Sequence, residues 1–214
     1  MMRTSDLIDA LAADVRPVRR LRHPLVRAAV WLALPLLVFV LLMIAQGTRP
    51  DLAARMLEAP FTVGVAGALS TGVLAAIAAF MLNLPDRSRD WALLPLPALA
   101  VWIASVGQQC LTHWVAIGPD GLQLGESARC FATVLLVGLP LSLGIFAMLR
   151  RGALLSAGTI AATAGLAVAA MSAAALSIFH RIDASAMVLL WNFGVAAIFV
   201  AAGGWAGRRF VSVP

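Results

Sequence analysis

Six apolar runs, each sixteen residues or longer, decide what this chain can fold into. They fall at about 25–45, 61–82, 91–106, 131–149, 153–179 and 186–206, and consist largely of Ala, Leu, Val, Ile and Gly. The hydrocarbon core of a bilayer is about 30 Å thick and takes roughly 20 apolar residues of α-helix to cross. No water is available there to satisfy backbone N–H and C=O groups, so runs of this kind must be helices rather than open strands. The composition agrees. Of 214 residues, 62% are hydrophobic and only 12% charged, where a soluble domain carries about 25% charge. The expected fold class is an all-α membrane protein: six transmembrane helices, residues 25–214, preceded by a polar segment, residues 1–24.

The third run is the shortest and is interrupted by Pro95 and Pro97; its helix is expected to extend past Gln108 and Gln109. Pro35 and Pro140 lie inside the first and fourth runs. Gly203 and Gly207, like Ala161 and Gly165, have the small-x-x-x-small spacing that lets helices approach closely, which we read as packing within the bundle. No cleavable signal peptide is expected: the first 24 residues hold three acids and no apolar core.

Arginine places the loops. All 16 basic residues are Arg. Twelve of them (Arg3, Arg16, Arg19, Arg20, Arg22, Arg27, Arg87, Arg89, Arg150, Arg151, Arg208 and Arg209) fall on one side if each run crosses the membrane, and four (Arg49, Arg55, Arg129 and Arg181) on the other. Cytoplasmic loops carry the excess of Arg and Lys, so both termini are expected in the cytoplasm of a bacterial inner membrane. This membrane-facing distribution also argues against reading the net charge of +6 as a nucleic-acid surface.

The N-terminal segment is the one sizeable polar stretch. Thr4 or Ser5 can cap a helix, and Asp6 and Asp9 suit its positive end. Leu7, Ile8, Leu11 and Val15 recur at helical spacing on one face, with Asp6, Asp9 and Asp14 among the polar positions. Pro17 disfavours helix at Arg16, so the helix should stop near Asp14 to Val15. Three turns are marginal alone in water. Acids on the polar face fit a helix laid in a protein groove better than a lipid-binding helix.

The residues Arg3-Thr-Ser-Asp-Leu-Ile-Asp-Ala-Leu-Ala-Ala-Asp and Pro17-Val-Arg-Arg-Leu resemble the opening of the negative-regulator-of-sigma-F family, bacterial six-helix membrane anti-sigma factors. The likeness continues through Cys130, Pro140, Leu149-Arg-Arg-Gly-Ala, His180, Trp191 and Gly207-Arg-Arg-Phe. It implies that the cytoplasmic segment binds an extracytoplasmic-function sigma factor, holds it from core polymerase and releases it on an envelope signal. The sigma-contacting positions it implies, together with the apolar stripe, are Asp6, Leu7, Ile8, Leu11, Asp14, Val15, Arg19 and Arg20. It also implies two outward-facing sensing cysteines. Cys130 matches the first; where the second is expected, after His180, this chain has Arg181.

Cys110 lies at the far end of the third run, His113 one helical turn later, and Cys130 just before the fourth run. Three readings stay open: structural thiols, a disulfide in the oxidising periplasm, or a sensing site with His113 that takes a soft metal. His180, Arg181 and Asp183 read as a solvated turn. No cofactor is expected, nor an enzyme, since no catalytic motif is present. The partners expected are the sigma factor and the bilayer, with no direct nucleic-acid contact. A small transporter or channel, or a passive scaffold, is the competing class, but acids, His and Arg are missing from the deep spans, where ion paths need them.

Overall fold

The computed structural model of the chain describes residues 3–13, 21–113, 124–152 and 157–179. Their secondary structure is entirely helical: α1 (Thr4–Ala13), α2 (Pro24–Gln46), the one-turn α3 (Leu52–Arg55), α4 (Ala59–Leu82), a 3-10 turn (Arg89–Leu93), α5 (Leu96–His113), α6 (Leu124–Leu149) and α7 (Ala157–Phe179). Four stretches are long and apolar enough to cross a membrane: Pro24–Gln46, Ala59–Leu82, Arg89–Gln108 and Ala157–Phe179. Within α6, Leu135–Leu149 forms a shorter apolar stretch. The sixth run at 186–206 lies outside the described residues, as do His180, Arg181 and Asp183.

Local chemistry sets the boundaries. At the start of α1 the Asp6 carboxylate accepts the Arg3 backbone N–H at 3.3 Å. α2 opens on Pro24, whose fixed φ and missing N–H suit a first helical turn, and His23 Nδ1 accepts the Leu25 N–H at 3.3 Å. It ends at Gly47, at φ +70°, a conformation L side chains avoid. The two prolines of the third run sit at a helix start instead of breaking a helix. Pro95 precedes α5 and Pro97 lies in its first turn, while residues 89–93 form the separate 3-10 turn. α5 then runs through Gln108 and Gln109 as expected. α6 begins at Leu124, seven residues before the apolar run, so Arg129 and Cys130 belong to the helix rather than the loop. A helix needs only backbone satisfaction and tolerable propensity, so it outruns its apolar stretch.

The long helices pack as an antiparallel bundle around α4 and α7, whose spans are 67% and 72% buried, against 28% for α2. Small side chains explain this. Ala75, Ala76, Ala78 and Ala79 of α4, and Ala167, Ala170, Ala174 and Ala175 of α7, are fully buried. Apolar tails solvate apolar side chains as well as a core does, so helices associate in lipid through close backbone approach and dispersion. At Gly67 of α4, a Cβ would stand 3.1 Å from the Trp102 backbone of α5. α2 lies outside this pair, between α4 and α6. Its Leu36, Leu37, Leu41 and Ile44 face outward, while Trp31, 1% exposed, points inward and donates from Nε1 to the Leu141 carbonyl of α6 at 3.1 Å.

Candidate functional site

α2 joins the N-terminal segment to the bundle, and a buried polar group holds it at each end. At its N-terminal end Arg27, 6% exposed, donates from Nη2 to Asn83 Oδ1 at 3.0 Å and to the Met148 carbonyl at 2.6 Å. Asn83 follows α4 directly and passes the link on, donating from Nδ2 to the Leu149 carbonyl at 3.1 Å. The guanidinium also lies over the Phe80 ring, 4.9 Å from its centroid. A buried cation needs such partners, because an uncompensated one costs many kcal/mol. Among the described residues the ring face and the two carbonyls supply them without a carboxylate, and Arg27 Nη1 is buried with no hydrogen-bond partner. Gly152, in the turn after α6, closes the group: a Cβ there would collide with the Asn83 amide. This proximal knot joins the start of α2 to the ends of α4 and α6.

At the other end Arg49, 4% exposed, forms a two-point pair with Asp51, Nε to Oδ1 at 2.7 Å and Nη2 to Oδ2 at 2.8 Å. Its backbone N–H donates to the Ile178 carbonyl at the end of α7 at 3.2 Å, and its guanidinium lies 5.7 Å from the Phe61 centroid at the start of α4. Arg55 adds a weaker contact to Asp51 at 3.6 Å and pairs with Glu58 at 3.0 Å. Hydrogen bonding from Arg49 lowers the Asp51 carboxyl to about 2. A carboxylate depressed in the fold stabilises it above the unfolded value near 3.9 and loses that contribution as pH falls through the folded value. The thermal midpoint of wild type should therefore exceed that of Asp51→Asn by a constant margin from about pH 5 to pH 8, and the margin should shrink toward about pH 2.

The sequence-derived positions fare unevenly. Asp6 and Ile8 lie on α1, and Ile8 is 59% exposed, so an apolar side chain on this helix is open to a partner. Leu7 and Leu11 lie on α1 as expected, without a described side chain; Asp14, Val15, Arg19 and Arg20 lie outside the described residues. Cys110 and His113 fall in the last turn of α5, and Cys130 in the second turn of α6, again without described side chains. Among the described residues no group of three His, Cys, Asp or Glu side chains is placed to hold a metal.

The knot around Arg27 and the clasp formed by Arg49 and Asp51 went unread in the sequence. Arg27 served only as an orientation marker, although it stands inside the first apolar run, three residues past Pro24, and that position was the available signal. Asn83 carried none, and Gly152 entered only as part of the Leu149-Arg-Arg-Gly-Ala likeness, with no role attached to it. The expectation that acids, His and Arg are missing concerned the deep spans; Arg27 is buried at the edge of the first run. Deeper in the bundle the described buried polar groups are hydroxyls. Thr71 and Thr163 donate to carbonyls of their own helices, Thr71 to Gly67 at 2.7 Å and Thr163 to Thr159 at 3.0 Å.

The sequence profile described as negative regulator of sigma F matches residues 11–212. The chain belongs to that family. It is also similar to the anti-sigma-F factor NrsF of Caulobacter vibrioides (strain NA1000 / CB15N), at 31% identity over 219 residues, covering 97% of this chain and 98% of the relative. No solved structure matches the chain. The family match takes in the knot, the clasp and all the long helices, and begins at Leu11, so most of α1 precedes it.

Proposed function

We propose that this chain is a membrane-bound anti-sigma factor that holds an extracytoplasmic-function sigma factor through residues 1–24 and releases it on an envelope signal. End-to-end similarity to an anti-sigma-F factor carries the reading. The arrangement of α1 supports it: a short helix with an exposed Ile8, acids at Asp6 and Asp9, and a first apolar helix starting eleven residues after its end. In this reading the protein spans a bacterial inner membrane six times with both termini in the cytoplasm. The basic excess at the end bearing Arg22, Arg27, Arg87, Arg89, Arg150 and Arg151 supports that orientation. Leu7, Ile8, Leu11 and Val15 fill a groove on the sigma factor. Asp6 and Asp14 meet its basic surface, and Arg19 and Arg20 complete the sigma-contacting set beside the membrane surface. Cys110, His113 and Cys130 are the candidate sensing groups on the periplasmic side.

Purified full-length protein in detergent should bind an extracytoplasmic-function sigma factor from the same bacterium. Leu7→Asp and Ile8→Asp should each weaken binding about thirtyfold or more, the cost of removing a central apolar anchor and burying a charge in its place. Lack of binding by wild type, or unchanged binding after deletion of residues 1–15, overturns the proposal.

A further inference from the structure

The two buried arginines among the described residues stand at opposite ends of one helix. Arg27 lies in the first turn of α2 and Arg49 three residues past its last, with about 29 Å of helix from Arg27 to Gln46 between them, close to a membrane's thickness. They hold different partners. Arg27 grips the ends of α4 and α6 through Asn83, Met148 and Phe80. Arg49 grips the end of α7 and the start of α4 through Ile178 and Phe61. Between them the span of α2 is only 28% buried, and Pro35 removes the N–H that would bond to the Trp31 carbonyl. An outlying helix gripped at both ends, with Trp31 packed on α6 between them, behaves as a lever against the central α4–α7 pair. If one end lets go, α2 can tilt, and the hydrogen bonds at the other end lose their geometry.

The two ends differ in access. Asp51, which orients the buried Arg49, leaves 47% of its own side chain exposed, so the clasp is open to its surroundings. The knot is sealed, with Asn83 fully buried. We propose that α2 carries the state of the Arg49–Asp51 clasp to the knot, where Arg27 and Asn83 are positioning residues that set how residues 1–24 leave the bundle. This rests on the sigma-binding reading for its output, but the mechanical coupling stands apart from it.

The test uses the full chain in nanodiscs, as wild type, Asp51→Asn, Arg27→Gln and the double variant, with two readouts. The first is amide hydrogen exchange in the first two turns of α2, without any partner. Asp51→Asn should raise exchange there several-fold while the α4 and α7 cores stay protected. The second is affinity for the sigma factor. Each single variant should change it about tenfold, a usual size for coupling between sites, and the double variant should change it no more than Arg27→Gln alone. Arg49→Lys keeps the charge but loses the two-point fork and should behave like Asp51→Asn; it also replaces that variant should Asp51→Asn fail to insert. Unchanged exchange in the α2 first turns, in either folded clasp variant, overturns the coupling. So does an additive double variant, because independent sites add. A wild type that binds no sigma factor ends the functional reading alone, since the exchange result still decides the coupling.

Discussion

Gly152→Val is expected to lower the thermal midpoint of the detergent-solubilised protein by roughly 6–12 °C, from a cost of about 3 kcal/mol. A Cβ at Gly152 runs into the Asn83 amide, and Asn83 cannot step aside. Its carbonyl oxygen holds Arg27 and its NH2 holds the Leu149 carbonyl, and it is fully buried. Relieving the collision breaks at least one of these bonds and leaves a buried donor or acceptor unmade, itself worth about 1–3 kcal/mol. Gly158→Ala is the matched control. Nothing lies within 4 Å of a Cβ there, and alanine in an α-helix is favoured over glycine by about 0.5–1 kcal/mol, so its midpoint should hold or rise. Equal midpoints for Gly152→Val and wild type would mean that the turn after α6 does not close on Asn83.

Trp31→Ala should be the other large loss, about 3 kcal/mol, at the low end of the range for emptying an aromatic site. In lipid the transfer term shrinks, because tails solvate apolar surface, and the lost packing remains. Trp31→Phe separates the contributions. It keeps most of the ring contacts but drops the bond to the Leu141 carbonyl, for a loss of about 1 kcal/mol. Denaturation of the three proteins in one detergent gives both differences. A Trp31→Phe loss as large as that of Trp31→Ala would assign the site to the hydrogen bond rather than to packing.

Both sites show where reading the chain succeeds and where it stops. The apolar runs located α2, α4 and α7 to within a few residues, because a long apolar run specifies a helix from its own local sequence. Periodicity likewise placed a helix at the N-terminus; its expected end near Asp14 to Val15 lies outside the described residues. The boundaries that slipped are those where helix continued into polar sequence, as in α6, or where prolines opened a helix, as in α5. Of the candidate partner-binding positions, Asp6 and Ile8 have described side chains, and Ile8 is exposed in the way a docking residue requires.

The sequence by itself determined that the chain is helical, where its long apolar segments lie, and which loops carry the arginine excess. Only the tertiary structure decided that Arg27, one of the arginines in that excess, is also a buried anchor, and that Asn83 and Gly152 meet around it. The reason is distance along the chain. Arg27 meets Asn83 56 residues away and the Met148 carbonyl 121 residues away. No local pattern records such partners, since a buried polar side chain is chosen by whichever distant backbone groups the packing leaves unpaired beside it.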